Sequence, residues 1–126
     1  MDCSMDILYV DDDPDLRDLA LFSLELDGDM RVRTVETGEK ALEDLTHAVF
    51  DLVLLDVMMP TLDGPAVLAR MREGVAPETP VIFVTARALP EERRALLKLG
   101  ALEVITKPFD PLQLAPNVRE ILRKSA

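Results

Sequence analysis

The 126 residues suffice for one hydrophobic core rather than two domains of ordinary size, and a composition 48% hydrophobic and 30% charged suits a globular, solvated unit. A formal net charge of -10 excludes a phosphate-backbone binding face made of clustered Lys and Arg, so direct nucleic-acid binding is not expected of this chain. No apolar run approaches the roughly 18 residues of a membrane span, Met1 to Met5 lacks the regions of a signal peptide, and the lone Cys3 has no internal disulfide partner; a cytoplasmic protein without membrane association is expected.

Short apolar runs alternate with longer amphipathic ones, the pattern of parallel strands joined by crossover helices. Five such units predict an α/β fold, with a single domain over residues 1–126 and a core from about 6 to 124. The first strand is Ile7 to Val10. Asp13 then serves as an N-cap, and Pro14 takes the first helical position, where a missing N–H costs nothing. Leu16, Leu19, Ala20, Ser23 and Leu24 keep helical spacing to about Leu26, and Asp27-Gly28-Asp29 supplies the stop. The next strand, Met30 to Val35, carries Arg31 and Arg33 on one face, as an edge strand with a wet side does. Its helix runs from about Gly38 to Thr46, with His47 placed to interact with the last carbonyls.

The third strand, Leu52 to Leu55, is apolar on both faces, as a central parallel strand covered by helices must be, and it ends in Asp56. A helix from about Gly64 to Arg72 follows, then a strand from Val81 to Val84, then a helix from Pro90 to Leu99 closed by Gly100. The last strand is Val104 to Thr106. Asp110, Pro111 and Gln113 read as N-cap, first-turn proline and capping-box partner of a helix reaching Lys124. Pro116 would stand at its sixth position and clash with the Leu112 carbonyl, so that helix is kinked or starts later.

The carboxylates fall where a doubly wound parallel sheet binds ligands, beyond the carboxyl ends of the strands at the point where strand order reverses. Asp11 and Asp12 follow the first strand and Asp56 ends the third, so neighbouring strands bring three acids to one crevice. Like charges at that range raise one another's pKa, and a hard cation such as magnesium, which takes oxygen ligands, resolves the repulsion. Thr85 after the fourth strand offers a hydroxyl donor and Lys107 after the fifth a compact positive charge, a set suited to a phosphoryl group with Asp56 as the nucleophile. Asp13 needs no role beyond its cap, and Met59 reads as packing. Met58 and Arg87 lie near the predicted phosphate, where they can tune the access of water.

Four motifs in register give the chain a resemblance to the receiver domain of bacterial two-component response regulators, the CheY-like fold. They are Val10-Asp11-Asp12-Asp13-Pro14, then Leu54-Leu55-Asp56-Val57-Met58-Met59-Pro60 with Asp63-Gly64, then Val84-Thr85-Ala86, then Lys107-Pro108-Phe109. The resemblance implies a five-stranded sheet of order 2-1-3-4-5, flavodoxin-like, and a cis Lys107-Pro108 bond. It implies phosphoryl transfer to Asp56 from a sensor histidine kinase or histidine phosphotransfer protein, with Mg²⁺ (or Mn²⁺ in its place) held by Asp12, Asp56 and the Met58 backbone carbonyl and with Asp11 acting mostly through water. Thr85 and Lys107 would contact the phosphoryl oxygens. The signal would pass to a downstream effector protein, with homodimerisation through the face of the fourth helix, fifth strand and fifth helix as the family's usual option.

The chain departs from the family where Val104 stands three residues before Lys107, at a position usually held by Tyr or Phe, and Pro116 falls in the element that forms the output face. After Phe109 one helix fits before Ala126, so the sequence is a stand-alone regulator or a piece of a longer protein. Two other functions compete with the phosphorylation-controlled module. One is a magnesium-dependent phosphatase with an aspartyl nucleophile, which typically has a second acid where Met58 stands. The other is a degenerate receiver that binds partners without phosphorylation, against which the full set of site residues argues. No enzymatic turnover is expected beyond self-phosphorylation and self-dephosphorylation at Asp56.

Overall fold

A computed structural model describes residues 4–125; Cys3 and the first residues of the Met1 to Met5 stretch lie outside them. The strands are β1 (Met5–Val10), β2 (Met30–Val35), β3 (Leu52–Asp56), β4 (Val81–Thr85) and β5 (Glu103–Thr106). The helices between and after them are α1 (Pro14–Glu25), α2 (Gly38–His47), α3 (Gly64–Arg70), α4 (Pro90–Lys98) and α5 (Leu114–Ser125). All pairings are parallel and the order is β2-β1-β3-β4-β5, the order that the resemblance implied.

The pattern along each strand decides where its helices go. Successive side chains point to opposite faces, so Leu8, Val10, Val53, Leu55, Val81 and Phe83 join one core with α2 and α3, through Ala41, Leu45, Val67 and Leu68. The alternate residues Ile7, Tyr9, Leu52, Leu54, Ile82 and Val84 join a second core with Ala20 and Leu24 of α1 and with Leu114, Ala115 and Val118 of α5. β3 and β4 are buried throughout, whereas β2 at the sheet edge leaves Arg31 and Arg33 exposed, as its alternation predicts. Among the described residues no helix is long and apolar enough to cross a membrane.

Local chemistry sets the helix ends. The Asp13 carboxylate accepts from the N–H groups of Asp15 at 2.9 Å and Leu16 at 3.4 Å, which fulfils its predicted cap role and starts α1 at Pro14. At the end of α2 the His47 ring meets the Glu43 carbonyl at 2.8 Å, one turn back in the same helix. Two ends differ from expectation. α3 stops at Arg70 rather than Arg72 and opens into a wider π-type turn over Met71–Val75, closed by Ala76 N–H to Met71 O at 3.1 Å, because Gly74 leaves helical geometry. Arg72 then clamps the outgoing loop by donating to the carbonyls of Thr79 at 2.8 Å and Pro77 at 3.3 Å.

α5 starts at Leu114, the later start that Pro116 allowed as the alternative to a kink. Asp110 caps a preceding turn instead of the helix, its carboxylate accepting from Leu112 N–H at 2.9 Å, and Gln113 precedes the helix rather than sitting in a capping box. Pro116 becomes the third helical residue, in the turn whose N–H groups have no intrahelical acceptor, so it introduces no kink. Arg119 of the same helix pairs with Asp27 and Asp29, tying α5 to the turn between α1 and β2.

Gly64 connects helix packing to the acidic edge. A Cβ there would lie 2.4 Å from the Asp56 carbonyl oxygen and 3.0 Å from the Val57 Cα, so only glycine lets α3 approach the end of β3 this closely. Gly64→Ala should therefore lower the urea midpoint, with a loss of about 1–3 kcal/mol, the range of overpacked core sites.

Candidate functional site

Backbone bonds carry the sheet pattern past its strands and place each polar residue at the carboxyl edge. Asp11 N–H donates to Val35 O at 3.1 Å, Val57 N–H to Val84 O at 3.1 Å, and Lys107 N–H to Thr85 O at 2.7 Å. Because β1 lies between β2 and β3, the connections from β1 and β3 leave in opposite directions, and a crevice opens between their ends. Asp11, Asp12 and Asp56 each turn one carboxylate oxygen into it, and these oxygens all lie within 4.8 Å of one another. Asp11 and Asp56 are buried and Asp12 is exposed. Thr85 and Lys107 complete the wall, with Met58 and Arg87 at the rim of a cavity of about 190 Å³.

Lys107 Nζ stands 3.0 Å from Asp11 Oδ2 and 3.0 Å from Asp56 Oδ1, so one ammonium bridges two buried carboxylates. Burial, then repulsion from Asp11, pushes the Asp56 carboxyl up to about 6 despite the opposing hydrogen bond from Lys107. Burial pulls the Lys107 ammonium down, but its hydrogen bonds to Asp11 and Asp56 outweigh that and hold it above the usual lysine value. Asp11 is held further by Tyr9, whose hydroxyl donates to Oδ2 at 3.0 Å, by Asp13 N–H on Oδ1 at 3.0 Å, and by Arg17, which donates to its carbonyl at 2.9 Å. Burial first, then the Asp11 charge, pushes the Tyr9 phenol far up, so it stays protonated as a donor.

Thr85 is buried and its Oγ1 accepts from Arg87 N–H at 3.1 Å, so the hydroxyl keeps its proton for donation. Met58 donates its N–H to Asp56 Oδ1 at 3.4 Å while its side chain is exposed, and the Arg87 guanidinium pairs with Glu92 at 3.5 Å. The Lys107-Pro108 bond is cis. Between Met58 and α3 the chain turns sharply at Thr61, whose φ of 71 accompanies a tight turn from Leu62 N–H to Pro60 O at 2.8 Å.

Asp11, Asp12, Asp56, Met58, Thr85, Arg87 and Lys107, singled out from the sequence, thus line one crevice. Tyr9 and Arg17 were not anticipated, although Tyr9 sits two residues before Asp11 on the same strand face and the signal was available there. Val104 is half-buried against the α2 and α3 core, beside a groove of about 510 Å³ lined by Arg93, Glu103, Asn117 and Lys124 among others.

The donor set is all oxygen, close-set and rich in negative charge, which fits a hard divalent cation, and the ammonium beside it fits an anionic group. A stability measurement in chelator tests the electrostatics. The folded-state pKa of Asp56 is raised from 3.8 to about 6, so the stability linked to its proton is present below pH 3.8 and lost as pH rises through 6. Asn does not titrate. Asp56→Asn should accordingly gain on the wild type between those pH values and level off above, by up to about 3 kcal/mol, read from urea unfolding at stepped pH.

Comparison with known proteins identifies the family. The model of the response regulator receiver domain matches residues 7–119. An uncharacterised 14.6 kDa protein from the sodA1 3′ region of Leptolyngbya boryana is 44% identical over 117 residues, covering 92% of this chain and 88% of that protein. The transcriptional regulatory protein CpxR of Escherichia coli K12 is 42% identical over 119 residues; the match covers 94% of this chain but 50% of CpxR, so the chain spans about half the length of that relative. The receiver domain of the Francisella response regulator 1452 superposes with a TM-score of 0.87 at 28% identity, covering 98% of this chain and 100% of that one. The chain belongs to the receiver domain family of two-component response regulators, the modules of phosphorylation-controlled signalling.

Proposed function

We propose that the whole chain acts as a single receiver unit that takes a phosphoryl group onto Asp56 in a Mg²⁺-dependent reaction and changes its partner binding in response. The observation that carries this reading is the position of Lys107, whose ammonium lies 3.0 Å from the carboxylates of both Asp56 and Asp11 at the mouth of the acidic crevice. An acid at that place has its nucleophilic oxygen beside a fixed positive charge, and phosphoryl transfer depends mainly on such positioning and charge stabilisation.

In the transfer, an Asp56 oxygen forms the new O–P bond as the bond from phosphorus to the donor's histidine nitrogen breaks, and that nitrogen keeps the electron pair. With its pKa at about 6, Asp56 is largely ionised at neutral pH, as a nucleophile must be. Lys107 pairs with one phosphoryl oxygen and Thr85 donates its hydroxyl proton to another. Asp12, Asp56 and the Met58 backbone carbonyl would hold the cation, with Asp11 acting mostly through water, and Mn²⁺ could take the place of Mg²⁺. When bound, the cation neutralises the carboxylates and the phosphoryl oxygens together.

Self-dephosphorylation is a hydrolysis, in which a water oxygen bonds to phosphorus as the O–P bond to Asp56 breaks, restoring the carboxylate and releasing inorganic phosphate, and no turnover on external substrates is proposed. The partners are a sensor histidine kinase or histidine phosphotransfer protein and a downstream effector in the cytoplasm, with no direct contact to nucleic acid or membrane. Self-association would use the face of α4, β5 and α5.

Incubation with Mg²⁺ and acetyl phosphate, followed by intact mass measurement, tests the reading. One phosphate adduct per chain is expected, absent in Asp56→Asn and absent in chelator. Asp12→Ala should weaken Mg²⁺ binding at least tenfold, as loss of a ligand does. An adduct that survives in Asp56→Asn removes the assignment of the acceptor.

A further inference from the structure

Tyr9 is the only tyrosine in the chain. It is 1% exposed, and its ring belongs to the core shared with α1 and α5, where a phenylalanine would pack equally well. Its hydroxyl instead reaches Asp11 Oδ2 at 3.0 Å. A buried phenol is stable only with such a partner, so this strand position is built around the Asp11 carboxylate.

The two side-chain donors on Oδ2 differ in what else they serve. Lys107 is shared with Asp56 at the same 3.0 Å, so a phosphoryl group on Asp56 draws on it directly. Tyr9 is packed in the core, and its hydroxyl donates to Asp11. Together with Asp13 N–H on Oδ1, the phenol sets the rotation of a carboxylate that has no exposed surface. Outer donors of this kind orient the groups that hold a cation, and their loss typically weakens binding by about tenfold or more.

We propose that Tyr9 is a positioning residue of the site: its hydroxyl fixes the Asp11 carboxylate for the cation and remains its donor when Lys107 turns to the phosphoryl group. This inference rests on the reading of Asp11 as part of the cation site. Since the chain has no tryptophan, tyrosine emission comes from Tyr9 alone and makes the same hydroxyl an optical reporter of the site.

The test uses the full chain and its Tyr9→Phe variant, which keeps the ring and loses only the hydroxyl. Mg²⁺ is titrated calorimetrically against both, and tyrosine emission is followed in the wild type. The expected result is a change of emission that saturates with Mg²⁺ and a Mg²⁺ affinity about tenfold weaker in Tyr9→Phe. With acetyl phosphate the variant's rate defect should be larger at low than at saturating Mg²⁺. In an Asp11→Asn background the same Tyr9→Phe change should shift the affinity much less. Equal Mg²⁺ affinities for wild type and Tyr9→Phe overturn the proposal, even if urea unfolding finds the variant less stable, because core packing then accounts for the hydroxyl. If the wild type binds no Mg²⁺, the cation reading and this proposal fall together. If it binds Mg²⁺ but forms no adduct, the phosphorylation reading fails and the calorimetric comparison still decides the role of Tyr9.

Discussion

Two buried carboxylates share one ammonium at the carboxyl edge of the sheet, and the rest of the molecule is arranged to make that tolerable. Asp11 and Asp56 are both nearly inaccessible, and neither could stay ionised in an apolar surrounding without compensation. Lys107 reaches them from the end of β5, 96 residues along the chain from Asp11. Coulombic attraction in such a trio is largely offset by desolvation, so its main product is a poised charge distribution rather than stability. One positive group faces two negative ones, and the deficit is what a divalent cation and a phosphoryl group can complete.

The apolar core holds these charges in place by removing alternatives. β3 and β4 are buried on both faces, so a one-residue slip would carry side chains from one core to the other and displace Asp56 and Thr85 from the edge. Ladder bonds continuing to Asp11, Val57 and Lys107 tie the end of β1 to β2, of β3 to β4 and of β5 to β4, and so hold the site in register with the sheet. Gly64 lets α3 press against the Asp56 carbonyl from the other side, and the tight turn at Thr61 carries the chain across the short span between them. The charge is therefore bounded by packing that transmits rather than absorbs displacement.

Much of this was readable in advance because it depends on local rules. Short apolar runs alternating with longer amphipathic ones identified the units, Asp13-Pro14 marked the start of α1, and the alternation in β2 marked an edge. The boundaries that were missed depend on distant or competing interactions. α3 ends early because Gly74 admits a π-type turn, after which Arg72 clamps the outgoing loop by donating to the carbonyls of Ala76, Pro77 and Thr79, and α5 begins four residues after Asp110 because Pro116 fits the first helical turn better than the middle. Arg17 was invisible as a site residue, since an amphipathic helix accounts for it equally well until the carbonyl it holds has a position, whereas the spacing of Tyr9 from Asp11 was in view but a core strand accounts for that residue too.

By itself the sequence determined the composition of the site. Acids end two predicted strands, a threonine and a lysine end two others, and the chemistry of those groups admits few uses besides a hard cation and an anion. The tertiary structure decided which groups touch. Strand order places β1 between β2 and β3, and only that neighbour relation brings Asp11 within reach of Asp56 and lets Lys107 contact both. Distances of that kind arise from the closing of sheet and helices around two cores, a global balance of packing that no short window of residues encodes.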